Sequence, residues 1–377
     1  MPAYRCNLCG GPLLAGLATI AARDLVADPK APGIWRHGAV LPRTGNVVSL
    51  GEGSTPLVPL RGAAGSSGLR VHGKLESLNP TLSFKDRAMA LAASAARDLG
   101  LEGLMLASTG NAAVSAAAYA AAAGLGCRIV CGTGSDAQVK LRAANAHGAE
   151  VRLVEGDYST AYADAVRGEA EGWFNVTTTY RNPLLAEAYR GVAIEVHEQL
   201  GRLPDAVVVP VGAGPLLYGL LQGFTDILDA GQGDRLPRLI GVQAQACAPL
   251  AHAWSRADWR DALAEPITVT PTSATAIADS LRGYEREGLL TLAAVRKSGG
   301  AVVAIAEEHI LEATLDLGRQ GILVEPAAGA AVAALNASET IELMPEDALV
   351  VVMLTGHGAK TLSVTSTSAA PPARGVR

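Results

Sequence analysis

The sequence predicts an α/β protein with parallel-rich sheets flanked by helices, and three observations predict it. Short continuous β-branched runs recur along the chain, Ala206 to Val211 being the clearest. Ala-rich stretches of helical length lie between them. Turns bearing glycine or small hydroxyl residues mark where one gives way to the other. A strand buried on both faces needs an unbroken apolar run, and strand alternating with helix is the pattern of parallel sheets covered by helices.

In chain order, residues 1–45 read as an N-terminal extension. Cys6-Asn-Leu-Cys9-Gly10 is half of a zinc-knuckle pattern, but a structural site needs four ligands. No second cysteine pair follows and only His37 is at hand, so an unmetallated knuckle is the favoured reading and no metal is expected. Ala31 to Gly33, with Pro32, reads as a linker. Val71 to Leu75 is the first strand candidate. Phe84 to Leu99 reads as a helix ended by Gly100, a residue at ease in a left-handed C-cap. Leu104 to Ala107 reads as a buried strand and Asn111 to Ala123 as the helix after it. Arg128 to Cys131 and Val151 to Val154 are strands with a helix between them. Leu239 to Gln243, Val302 to Ile305 and Leu349 to Leu354 continue the series, and 366–377 reads as a flexible tail.

With 377 residues, 49% of them apolar and 18% charged, the chain can bury a large core. A net charge of -5 gives no reason to expect nucleic acid or an anionic membrane as partner. The longest Ala-rich stretch, Ala112 to Gly126, is too short to span a bilayer, and Met1 to Cys9 holds no signal-peptide core. Five cysteines, an odd number, point to a reducing compartment; a cytoplasmic location is expected.

Four segments carry chemistry. In Asn79-Pro80-Thr81-Leu82-Ser83-Phe84-Lys85-Asp86-Arg87, Ser83 is placed to cap a helix starting at Phe84. Lys85 then falls in the first turn, where the macrodipole disfavours a cation and desolvation releases its proton. That suits Schiff-base chemistry, although an exposed lysine at a helix start reads the same by itself. Ser108-Thr109-Gly110-Asn111, between strand and helix, offers hydroxyls and amides to an anion such as a carboxylate, or else is an ordinary N-cap. Gly212-Ala213-Gly214-Pro215-Leu216, after the best strand, suits a phosphate. It is a poor dinucleotide fingerprint, because the third glycine, Gly219, falls one residue late and Pro215 lacks an N–H. In Leu354-Thr355-Gly356-His357-Gly358, Thr355 can offer a hydroxyl at the strand ends; His357 reads as a loop residue and Glu325 as an acid opening a helix.

Together and in this order, these segments resemble the threonine synthase family, in fold type II of the pyridoxal-phosphate enzymes. The resemblance covers about residues 34 to 360, including Ile34-Trp35-Arg36, Leu50 to Leu57, the Lys85 segment, Ser108 to Asn111, the glycine turn, Val324 to Ala328 and Leu354 to Lys360. It implies two α/β lobes with pyridoxal 5'-phosphate in the cleft between them. The small lobe would be 71–157 and the large lobe 46–70 with 158–365. It also implies that Lys85 holds the cofactor as a Schiff base and moves protons, and that Asn111 binds the phenolic oxygen. Ser108, Thr109 and Gly110 would bind the substrate carboxylate, Gly212 to Leu216 the cofactor phosphate, and Thr355 the ring nitrogen. A homodimer is implied as well.

The resemblance further implies a lyase that converts O-phosphohomoserine and water to threonine and phosphate. The family binds the substrate phosphate partly through an arginine in an Asn-Pro-Tyr-Arg-type stretch. Here the stretch is Asn182-Pro183-Leu184-Leu185, with Arg181 and Arg190 the nearby substitutes. The alternative is a dehydratase, ammonia-lyase or β-substituted alanine synthase acting on a small amino acid without phosphate, which an apolar Leu185 suits.

Overall fold

A computed structural model describes residues 3–17, 20–62, 68–132, 138–155 and 158–361; the expected tail at 366–377 lies outside the described residues. Among the described residues ten strands form: β1 (Leu57–Pro59), β2 (Arg70–Lys74), β3 (Gly103–Ala107), β4 (Gly126–Gly132), β5 (Glu150–Val154), β6 (Trp173–Asn175), β7 (Ala206–Pro210), β8 (Arg238–Ala244), β9 (Ala301–Ile305) and β10 (Leu349–Met353). They build a six-stranded sheet in the order β1-β2-β10-β7-β8-β9 and a four-stranded sheet in the order β5-β4-β3-β6. Every pairing is parallel except β1 on β2. The runs predicted as strands form all of these but β1 and β6, and β3, β7 and β10 are buried along their whole length.

Helices α1 (Lys85–Asp98), α2 (Asn111–Ala123), α3 (Gln138–Ala146), α4 (Tyr158–Gly168), α5 (Pro183–Glu187), α6 (Arg190–Leu200) and α7 (Pro215–Asp229) fill the six connections from β2 to β8. Their small side chains set the spacing. Helix α2 is buried almost all round, as an Ala-rich helix between other elements can be. Gly219 lets α7 close on α5 and α6, because an added Cβ there would strike the Ala186 carbonyl oxygen. The glycine that spoiled the dinucleotide pattern is thus a packing residue.

Three expectations change. Val71 does not open the smaller sheet: β2 runs beside β10, with Val71 opposite Val350, and β6, beyond residue 157, closes the smaller sheet against β3. Each sheet therefore takes a strand from across the expected boundary, since alternation along the chain marks strands without naming their neighbours. Ser83 does not cap α1: Phe84 is the N-cap residue, no side chain caps it, and Ser83 is drawn into a bridge with Gly356. Tyr4, Ile34, Trp35, Val40 and Leu41 of the N-terminal extension are buried in the main core. His37 is not a spare ligand; its Nε2 lies 3.2 Å from Glu198. Among the described residues no helix is long and apolar enough to cross a membrane.

Beneath α1 lies a buried charge network. Arg87 bonds Glu76 at 2.7 and 2.8 Å and Glu195 at 2.7 and 2.8 Å, while Lys74 reaches Glu195 at 2.6 Å and the Thr55 carbonyl at 2.7 Å. Two cations meet two carboxylates, so the charges balance. Burial opposes ionisation of Glu195, yet Arg87 and Lys74 hold its carboxyl well below the ordinary range. Its stabilising effect is therefore complete above the unfolded value near 4.5 and is lost as the pH falls toward the folded one. Removing one partner of such a network strands the other charge, at about 3–5 kcal/mol. Glu195→Gln is expected to lose about that much in urea unfolding at neutral pH; a loss below about 1 kcal/mol would show that the network does not hold the α1 start.

Candidate active site

The predicted segments meet at the carboxyl ends of strands, where open α/β sheets bind ligands. Ser108 to Gly110 follow β3, Gly212 to Gly214 follow β7, and Thr355 follows β10. β7 and β10 are direct neighbours. The loop ahead of Lys85 is clamped onto the end of β10: the Phe84 N–H donates to the Thr355 carbonyl at 3.1 Å, and the His357 N–H to the Leu82 carbonyl at 3.1 Å. Leu82 is held at φ +64, which costs a branched residue about 1–2 kcal/mol, and those bonds keep it there. Asp86 completes the clamp, accepting from the Thr81 N–H at 2.6 Å and the Ser115 hydroxyl at 2.6 Å.

Lys85 is the first residue of α1 and is half-buried, its Nζ 4.3 Å from the centroid of the Phe84 ring. Enough protein surrounds the ammonium that burial pushes it down to about 8, against the opposing pull of the Asp279 carboxylate. At pH 7 roughly a tenth of such an amine is uncharged and nucleophilic, far more than of an ordinary lysine.

Asn111 opens α2 and donates to Glu325 Oε2 at 2.6 Å. Glu325 also pairs with Lys140 of α3 at 2.8 Å, so it ties the larger sheet's side of the cleft to the smaller one's. Asn111 Oδ1 and Ser83 Oγ are buried and bonded to nothing among the described residues. A buried polar atom left so costs about 1–3 kcal/mol, which a bound group would recover. Gly110 donates to Ser108 Oγ at 3.1 Å, and Ser108, Thr109 and Gly110 stay partly open to the cleft. In the glycine turn Gly214 sits at φ +103, and an added Cβ would strike Thr291. The Thr291 hydroxyl donates to the Ala213 carbonyl and braces the turn from behind. Pro215 and Leu216 begin α7, whose positive end faces the turn. Thr355 is buried.

The structure adds residues the sequence did not single out. Asp279 abuts the turn, its Cβ 3.2 Å from where a Cβ on Gly212 would lie. It accepts from the Tyr284 hydroxyl at 2.6 Å and the Leu281 N–H at 2.9 Å, and burial raises its carboxyl pKa. Lys360 donates to the Thr81 carbonyl at 2.8 Å, and burial pushes it down to about 8. No spacing signal marks either one: Asp279 stands in an irregular loop, and Lys360 lies five residues beyond Thr355 in the turn after β10. The candidate arginines are spoken for. Arg190 is paired with Asp226 at 2.7 Å and with Glu187, Arg181 with Glu169, and Leu185 is 1% exposed.

This architecture is that of a pyridoxal-phosphate dependent enzyme. The profile of that family matches residues 48–356, and the chain belongs to it. The chain is 37% identical to the threonine synthase of Synechocystis sp. over 83% of its own length and 78% of that protein's. It is 34% identical to the threonine synthase of Methanocaldococcus jannaschii over 95% and 88%. By these relatives its place is in the threonine synthase family. Solved structures of the same fold include threonine deaminase isoform 2 of Solanum lycopersicum, at a TM-score of 0.68 and 20% identity over 95% of this chain and 100% of that one. Maize serine racemase follows at 0.67 and 19%, over 81% and 89%. The fold is the two-lobed fold type II.

Lys85 carries a direct expectation. In cofactor-free protein, its labelling by an amine-reactive reagent, read by peptide mass spectrometry, should rise with pH to a midpoint of about 8. A midpoint at the ordinary value of 10.5 would remove the desolvated amine.

Proposed function

We propose that the chain catalyses a threonine synthase-type reaction, O-phosphohomoserine and water giving threonine and phosphate. The carrying observation is the convergence at one cleft of Lys85, Asn111 with its unmatched oxygen, the braced turn at Gly214, and Thr355. Those groups match a flat ring bearing a phosphate, a phenolic oxygen and a pyridine nitrogen. Bound there, pyridoxal 5'-phosphate supplies an electron sink for charge that develops beside the substrate's Cα.

The chain's own residues do the rest. Lys85 would hold the cofactor through its Nζ, by condensation with the aldehyde and loss of water, and its free amine would move protons at the substrate's Cα and Cβ. Ser108, Thr109 and Gly110 hold the substrate carboxylate at the positive end of α2. Asn111 would hydrogen-bond the phenolic oxygen, and Gly212, Ala213, Gly214 and Leu216 would cradle the phosphate, Pro215 giving shape without an N–H. Thr355 meets the ring nitrogen as a neutral hydroxyl, which leaves the ring a weaker sink suited to elimination and replacement. Two lobes, the smaller carrying β3 to β6, close on the substrate to control water. The resemblance also supports a homodimer working in the cytoplasm.

A second reading has a specific observation behind it. Leu185 is buried and both neighbouring arginines are locked in ion pairs, while the acid Asp279 stands beside the turn. That arrangement favours β-elimination or β-replacement on a small amino acid without phosphate. Phosphate release from O-phosphohomoserine, compared with keto-acid formation from serine or threonine, separates the two. The proposed reaction gives phosphate and threonine, with activity falling at least about a thousandfold in Lys85→Ala. Keto acid without phosphate release selects the second reading, and wild-type-like turnover by Lys85→Ala contradicts both.

A further inference from the structure

Away from Lys85, the N-terminal arm lies against α4 and the start of the Glu285–Ser298 helix, and a cavity of about 790 Å³ opens between them. Five arginines line it: Arg5, Arg167, Arg181, Arg282 and Arg286. Among the described residues Glu285 is the sole acid in the lining, and its carboxylate accepts from the Gly283 N–H at 2.7 Å. The volume is within the range of small-molecule sites.

The arginines divide into two sets. Arg5, Arg167 and Arg181 are each matched by a carboxylate, respectively Glu287, Asp164 and Glu169, and are thereby held in place. Arg286 gives Nη1 to the Cys9 carbonyl at 3.0 Å, which orients it without cancelling its charge. Arg282 is exposed and meets no carboxylate among the described residues. Glu285 keeps its charge too, so the exposed guanidinium groups of Arg282 and Arg286 outweigh it by one positive charge at the start of a fourteen-residue helix. A lining of five arginines and one carboxylate favours an anion, and the planar fork of arginine suits a phosphate above other groups.

We propose that this cavity binds a small phosphate-bearing anion, held by Arg282 and Arg286 and walled by the three fixed arginines. The site is separate from the cofactor cleft but shares a wall with it. Tyr284 lines the cavity, stacks on Tyr162 at 4.9 Å between ring centroids, and donates its hydroxyl to Asp279 at the glycine turn. The Cys6–Cys9 turn, which the reaction does not use, acquires a purpose here: the Cys9 carbonyl positions Arg286.

The test is calorimetric titration of the cofactor-loaded enzyme with inorganic phosphate, alongside the double variant Arg282→Ala/Arg286→Ala. Neither residue belongs to the proposed catalytic machinery, so the variant should keep its cofactor absorption band and its turnover. Wild type should show saturable binding that weakens at least tenfold in the variant. Charge-retaining Arg282→Lys/Arg286→Lys should recover part of it, which separates lost charge from lost fold. Absence of saturable binding, or binding of equal strength in all three proteins, overturns the proposal. The second result would place phosphate in the reaction cleft, and neither outcome depends on which substrate the enzyme turns over.

Discussion

Arg87 is the residue on which the site's geometry depends. It lies two positions after Lys85 on α1, and its guanidinium is wholly buried between Glu76 and Glu195. Helix α1 serves the smaller sheet, whereas Glu76 follows β2 of the larger sheet and Glu195 stands on α6. The network therefore fixes the first turn of α1 to the larger lobe, and with it the lysine that must face the cleft. A buried network of this kind is not the most stable choice for a core, since well-packed apolar residues of equal volume do as well or better. Its merit is direction: every member has one partner geometry that satisfies it, so the helix start has one place to be.

With α1 fixed, the remaining groups arrive by topology. Parallel strands present their carboxyl ends on one side, and β3, β7 and β10 each end in a loop of glycine or hydroxyl residues there. Two of those loops run into helices whose positive ends favour the two anions of the proposed reaction, substrate carboxylate and cofactor phosphate. Glu325 and Lys140 bridge the lobes beside Asn111, which makes lobe position and cofactor environment parts of one arrangement.

The fold was readable wherever a run of residues answers to one local rule. Valine runs such as Ala206–Pro210 admit one state, and Asn111–Ala123 admits only a helix. Strand partners were not readable, because β2 and β6 carry no local mark of the sheet they join. The cap at Ser83 failed for a related reason: the bridge to Gly356, remote in sequence, took the residue away from the helix. In the site, Lys85, Asn111, Gly214 and Thr355 stood out because they sit at strand-to-helix switches. Asp279, Tyr284 and Lys360 did not, since their chemistry comes from burial and from neighbours brought together only in the folded chain. Leu185 was legible as a departure, but the ion pairs that immobilise Arg181 and Arg190 were not.

The claim beneath all of this is that the amine of Lys85 is the one that holds the cofactor. Borohydride reduction of the enzyme loaded with pyridoxal 5'-phosphate, followed by peptide mass mapping, tests it most directly. The account predicts one phosphopyridoxyl group, on the peptide carrying Lys85. A label on Lys140 or Lys360 in its place, or no label on a protein that does bind the cofactor, would contradict it.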